Sequence, residues 1–135
     1  MTTRSLLYLR FVHKYQTLVA WQRAHNPTLL ALRQCDSHYH PKSRALFDQL
    51  RRATVSVGAN IVEGYALGTP LQFRRHLRIA LGSAAEAEYL TKLIAELEYL
   101  PKTVTEPLEQ MLERTMAALY GLIRKHSPTE RVPRP

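Results

Sequence analysis

Residues 50–90 read LRRATVSVGANIVEGYALGTPLQFRRHLRIALGSAAEAEYL, and their apolar and small side chains recur in alternating steps of three and four. This spacing is typical of the inward stripe of a helix in a bundle. The first stripe comprises Leu50, Ala53, Val57, Asn60 and Gly64, and the second comprises Phe73, Leu77, Ala80, Ala84 and Ala87. Because Gly68, Thr69 and Pro70 interrupt the pattern, the stretch predicts two helices joined by a tight turn.

Helix start signals agree with these stripes. Thr69 can cap the second of the two helices, with Pro70 at its first position and Gln72 completing a capping box. Pro41 marks the start of the helix before the turn, and Thr105 can cap a later helix ahead of Pro107.

The same periodicity continues on both sides, and alternating strand patterns are hard to find. The dipeptide Asn26-Pro27 interrupts the earliest helix, which predicts either a kink or a new start capped by Asn26. The sequence therefore predicts an all-α fold, an up-down-up-down antiparallel four-helix bundle whose first helix is kinked near Pro27. The predicted segments are an N-terminal extension at 1–14, a bundle at 15–126 with helices at about 15–38, 42–65, 70–98 and 105–126, and a disordered tail at 127–135.

Length and composition limit the class of protein. The 135 residues suit one domain, and a hydrophobic fraction of 45% with a charged fraction of 22% is that of a folded soluble protein. We find no signal-peptide pattern and no run of about 20 apolar residues that could cross a bilayer, so we expect a cytoplasmic protein without a membrane partner. The single cysteine, Cys35, is expected to be a buried free thiol.

The motifs give little support for catalysis or a cofactor. Cys35, His38 and His40 are metal-ligand types, but their spacing and the lack of a second cluster argue against a metal site. The segment GANIVEG, residues 58–64, lacks the Lys-Ser/Thr of a phosphate loop. Glu63, Glu86 and Glu88 are more typical of ion pairs or polar networks than of acid-base catalysis. We therefore predict no catalytic residue, no metal and no cofactor.

Charge points to an acidic partner. The net charge is +8, and the isoelectric point is near 10. The predicted nucleic-acid-binding residues lie outside the apolar stripes and are Arg51, Arg52, Arg74, Arg75 and Arg78. Solvated charge, ion pairs between subunits, or a structural module that docks an acidic protein would account for the same residues.

Asn60 falls on an inward stripe, and a buried amide must find hydrogen-bond partners. We predict a polar network of Asn60, Glu63, Ser83 and Glu86 that fixes the register of two neighbouring helices. Gly58 is expected to allow close packing against the small residues near Gly82, and Gly64 to cap its helix.

The segment from Leu50 to Leu90 resembles the core signature of bacterial four-helix bundle proteins encoded by intervening sequences in large-subunit ribosomal RNA genes. The broad family includes the accessory variability proteins of diversity-generating retroelements. The resemblance rests on Leu-Arg-Arg-Ala, Ala-Asn-Ile-x-Glu-Gly and Phe-x-x-x-Leu-x-Ile-Ala-x-Gly-Ser-x-x-Glu, with Trp21 in the first helix. It implies a homopentamer without enzymatic activity and, for retroelement members, a basic surface for nucleic acid and a reverse transcriptase.

Overall fold

The computed structural model describes residues 2–126, and every regular element in this range is helical. The all-α prediction is confirmed. The elements are α1 (Thr3–His13), a 3₁₀ turn (Lys14–Thr17), α2 (Val19–Ser37), α3 (Arg44–Leu67), α4 (Pro70–Glu96) and α5 (Lys102–Lys125).

The four long helices form a closed cycle of contacts. Among the described residues α2 packs on α3 and α5, and α4 packs on α3 and α5, whereas the two diagonal pairs make no close backbone approach. Contacts run in opposite order along neighbours: Ser56 of α3 meets Ser83 of α4, and Asn60 meets His76. The core has two layers. One surrounds Phe47, Leu50, Ile94 and Leu108, and the other surrounds Val57, Ile61, Leu77 and Leu119.

The helix boundaries differ from the predicted ones by a few residues. The largest shift is at the start of α2, because Leu18 is extended and the preceding residues form a 3₁₀ turn. The predicted start at Thr105 is wrong, since α5 begins at Lys102 after Pro101 and Thr105 is buried inside it. Helix α3 begins at Arg44, two residues later than the predicted start at residue 42.

Pro27 lies in the interior of α2, and the helix continues through it. The predicted alternative of a new helix capped by Asn26 is therefore wrong. Proline has no N–H, so the carbonyl of Arg23 loses its usual donor four residues later. The hydroxyl of Thr115 in α5 donates to this carbonyl at 2.8 Å and replaces the missing bond. A neighbouring helix thus satisfies the backbone group that Pro27 leaves open.

The turn between α3 and α4 is largely as predicted. The Thr69 hydroxyl accepts a hydrogen bond from the backbone N–H of Gln72 at 3.3 Å, and Pro70 occupies the first turn. The cap of α3 is Gly68, whose φ of 75° suits glycine, so the prediction that Gly64 caps this helix is wrong.

Gly64 instead lies where α3 and α4 approach most closely. A Cβ there would be 2.6 Å from the Cβ of His76, whereas a Cβ at Gly58 would meet nothing within 4 Å. Close packing of α3 on α4 therefore depends on Gly64. The prediction that Gly58 allows this close packing is wrong.

The N-terminal extension contains α1, which has no buried residue. It is attached near the end of α3: the Tyr8 hydroxyl donates to the Ala66 carbonyl at 3.1 Å, and Phe11 stacks on Tyr65 with ring centroids 4.9 Å apart. Most of its large apolar side chains remain exposed.

Candidate nucleic-acid interface

Charge is distributed unequally between the two ends of the molecule. At one end, α1 and the start of α2 meet the end of α3, the start of α4 and the end of α5. We call this the basic end. Its Lys and Arg residues are Arg4, Arg10, Lys14, Arg23, Arg74, Arg75, Arg78, Arg124 and Lys125. Glu63 is the only carboxylate of this end in the described part of the chain.

The start of α4 and the end of α5 bring several of these cations together. The rings of Phe73 and His126 lie 5.2 Å apart, which places the adjoining Arg74 and Lys125 at the same level. The Arg124 guanidinium lies 5.9 Å from the centre of the exposed Tyr120 ring. Because no carboxylate neutralises this cluster among the described residues, it produces a positive potential that favours polyanions.

The predicted arginines differ in their surroundings. Arg75 and Arg78 are exposed on α4 at the basic end, and Arg74 beside them is half-buried with an enclosed Nε that has no partner in residues 2–126. Arg51 binds carboxylates on two helices: its Nη2 is 2.6 Å from Asp36, and its Nη1 is 3.0 Å from Asp48. Arg51 therefore joins α2 to α3 through these ion pairs, and its role as a nucleic-acid contact stays a prediction.

Arg52 is exposed, but it lies towards the other end of the bundle. The contacts Gln49–Glu86 and Ser56–Ser83 place it level with the middle of α4. Arg78 lies at least five residues further along that helix, which corresponds to about 8 Å. The predicted patch that combines Arg52 with the α4 arginines is therefore spread along the α3–α4 pair and extends away from the basic end.

The opposite end is rich in carboxylates along α4 and α5. We call this surface the acidic face; it comprises Glu88, Glu109 and Glu113 around Lys92. The Nζ of Lys92 donates to Glu88 at 3.0 Å, and this bond, together with nearby Glu109 and Glu113, raises the pKa of Lys92. Nucleic acid would be repelled here, so the two ends differ in the partners they can accept.

The predicted polar network forms at the edge between α3 and α4 with different partners. Asn60 donates to the carbonyl and hydroxyl oxygens of Ser56 at 2.9 and 3.1 Å, and its Oδ1 lies 3.0 Å from Nδ1 of His76. Ser83 joins through Ser56 at 2.9 Å, and a Glu63 oxygen lies 4.0 Å from the same His76 nitrogen.

Glu86 is not a partner of Asn60, because it accepts a hydrogen bond from Gln49 instead. The apolar stripes of the sequence do not identify Ser56 and His76 as the partners of Asn60, since both residues lie beside the stripes. Their side chains meet Asn60 only because α3 and α4 pack in opposite directions.

Asn60→Leu should lower the free energy of unfolding by about 1–2 kcal/mol. Leucine leaves the Ser56 hydroxyl and His76 ring without their partner at a half-buried edge. Chemical denaturation monitored by circular dichroism measures the change. Val55→Leu, at an exposed position of α3, is the matched control and should change stability by less than about 0.5 kcal/mol. Equal effects of the two substitutions would contradict a stabilising role for the network.

Cys35 is buried at the α2–α3 contact, and burial raises the pKa of its thiol to about 11. Such a thiol is protonated at neutral pH and is a poor nucleophile or metal ligand. Across residues 2–126 no three His, Cys, Asp or Glu side chains are grouped to hold a metal ion. Over the same range, no helix has both the length and the hydrophobicity of a membrane-spanning segment.

Residues 16–121 match the family model of the 23S rRNA-intervening sequence protein. The chain belongs to this family. No curated protein is significantly similar to it in sequence.

A solved structure is similar in fold to this chain. It is a protein of unknown function from the S23 ribosomal protein family of Bacteroides thetaiotaomicron, with a TM-score of 0.68 and 24% sequence identity. The match covers 78% of this chain and 99% of that one.

The family match covers the four-helix part of the chain but not its N-terminal extension. The matched residues contain all of α2, α3 and α4 and most of α5, whereas α1 lies outside them. The predicted binding residues did not include Arg23, Arg124 and Lys125 of the basic end. Residues 1–35 contain no Asp or Glu, which is the signal that could have identified part of this surface.

Proposed function

We propose that this protein is a non-enzymatic, homo-oligomeric helical bundle that binds nucleic acid through its basic end. The observation that carries the proposal is the cluster at the start of α4 and the end of α5, where Arg75, Arg78, Arg124 and Lys125 are exposed. Lys and Arg side chains gain affinity for phosphates largely by releasing counterions. Backbone phosphates are therefore the expected contacts.

The scaffold for this function is an up-down-up-down bundle of α2–α5, with a bend at Pro27. The opposite order of contacts along neighbouring helices supports this topology. Antiparallel packing carries the early arginines of α4 and the late cations of α5 to the same end. The function thus depends on the direction of the helices as well as on their charge.

Arg78→Glu combined with Arg124→Glu should weaken RNA or DNA binding about 100-fold at about 0.1 M salt. Each change replaces an attraction for phosphate by a repulsion. Fluorescence anisotropy with a labelled RNA and a DNA of the same sequence, across a series of salt concentrations, measures affinity and its salt dependence. The variant should also show a shallower dependence of log affinity on log salt.

The control is Arg33→Glu combined with Arg52→Glu, which makes the same charge change at exposed positions outside the basic end. We expect a loss of less than about threefold from this control. Equal losses from both pairs would indicate a response to net charge alone. Wild-type binding that does not weaken as salt rises would overturn the proposal.

The family resemblance adds finer elements to this proposal: a homopentamer and, if the protein is a retroelement accessory, a reverse transcriptase as partner. Affinity purification with and without nuclease separates a protein partner from one held through nucleic acid. A protein that remains bound after nuclease, together with absent RNA and DNA binding, would instead favour a structural module. A neighbouring reverse transcriptase gene with a variable repeat would support the retroelement role.

A further inference from the structure

Helix α1 is apolar on nearly all sides and yet has no buried residue. Leu6, Leu7 and Leu9 are exposed by 51%, 59% and 39%. A helix that is hydrophobic around its circumference is normally buried in a larger structure. Within residues 2–126 the rest of the chain covers it through Tyr8, Phe11 and the half-buried Val12, so the opposite, outer side of the helix stays open.

The outer side of α1 combines leucines with positive charge. Leu6, Leu7, Leu9 and Arg10 line one shallow depression of this helix, and Lys14 follows directly. α1 contains no carboxylate. An occupant that matches this side must offer apolar contact together with negative charge.

The acidic face offers both features. Three carboxylates, Glu88, Glu109 and Glu113, lie near its central cation, Lys92. Tyr89, adjacent to Glu88 on α4, is 60% exposed, and the exposed Ala117 follows Glu113 by one helical turn on α5. An exposed aromatic side chain on the same helix as part of a carboxylate cluster offers a leucine-rich basic helix both apolar contact and negative charge.

α1 cannot reach the acidic face of its own chain. It is held at the end of α3 by the bond between Tyr8 and Ala66. Glu88 lies eighteen residues beyond the start of α4 at Pro70, which is about 27 Å along the helix, whereas the eleven residues of α1 span about 16 Å. The complementary surface must therefore belong to another molecule.

We propose that α1 of one copy docks through Leu6, Leu7 and Arg10 on the acidic face of a second copy, around Tyr89. This inference rests on the proposed homo-oligomer and names the surfaces that join its subunits. The contact is heterologous, because each copy contributes a different surface to each of its two neighbours. Such contacts close into a ring when the rotation between copies allows it.

The decisive experiment is a charge exchange with mass measured by light scattering after size exclusion. Arg10→Glu with Lys14→Glu should weaken association about 100-fold, and Glu109→Lys with Glu113→Lys should do the same, since like charges then meet. A single chain carrying all four changes restores opposite charges at the contact. It should recover the oligomer mass of the wild type.

Arg4→Glu is the matched control on the same helix. Arg4 lies on the side of Tyr8 and Phe11 by helical spacing, so its reversal should leave the mass unchanged. Circular dichroism and thermal melting establish that each variant is folded. The fourfold variant restores the mass only if these two surfaces meet each other.

The proposal is overturned if the first pair leaves the wild-type oligomer intact, or if the fourfold variant fails to recover it while folded. A loss on Arg10→Glu and Lys14→Glu that the folded fourfold variant does not rescue would mean that α1 contacts a surface of the second copy other than the acidic face. A monomeric wild type would reject the homo-oligomer itself. RNA binding is measured separately and does not decide between these outcomes.

Discussion

Replacing Gly64 by alanine should lower the free energy of unfolding by about 2–3 kcal/mol. The new methyl group would lie 2.6 Å from the Cβ of His76 and 3.3 Å from a ring carbon of Phe73. A Cβ is fixed to the backbone, so relief requires α3 and α4 to move apart rather than one side chain to rotate. Thermal and urea denaturation, followed by circular dichroism, measure the loss.

Gly58→Ala is the control in the same helix. Nothing lies within 4 Å of a Cβ at this position, and alanine stabilises a helix interior by about 0.5–1 kcal/mol relative to glycine. The two substitutions should therefore change stability in opposite directions. A stabilising Gly64→Ala would show that the helices are not in close contact at this site.

Thr115→Val should destabilise the fold by about 1–3 kcal/mol, although valine has nearly the same shape as threonine. Thr115 is fully buried, and its hydroxyl donates to the Arg23 carbonyl at 2.8 Å and to the Met111 carbonyl at 2.9 Å. The Met111 carbonyl belongs to the threonine's own helix. The Arg23 carbonyl has lost its helical donor to Pro27 and would be left unpaired.

The origin of this effect can be tested with a second substitution. Pro27→Ala supplies a backbone N–H to the Arg23 carbonyl, so Thr115→Val should cost less in that background, by about 1 kcal/mol. Urea denaturation of the wild type, both single variants and the double variant gives the coupling energy. A coupling near zero would mean that Thr115 contributes through packing and not through the bond to Arg23.

Local patterns identified most of the helices, because apolar periodicity and turn residues act over a few neighbouring positions. Thr69 and Pro70 mark the start of α4, and Gly68 supplies the left-handed residue that ends α3. The difference between the predicted and observed starts of α2 also has a local cause. Leu18 is extended where the 3₁₀ turn meets α2, which periodicity alone does not indicate.

The candidate site was harder to predict because it depends on contacts between distant residues. Arg51 and Arg78 are both cationic residues outside an apolar stripe. Only the packing of α2 on α3 brings Asp36 to Arg51, whereas Arg78 stays exposed. In the same way, only α5 places Arg124 beside the start of α4.

The sequence by itself determined the all-α fold, the turn at Gly68 and the excess of positive charge, since these depend on residue type and on spacing along one helix. The tertiary structure decided that Gly64 is the point of close approach, that Asn60 meets His76, and that positive charge gathers at one end. The physical reason is the antiparallel packing of the helices. It brings together residues far apart in the chain, and their charges and hydrogen bonds then determine what each surface can bind.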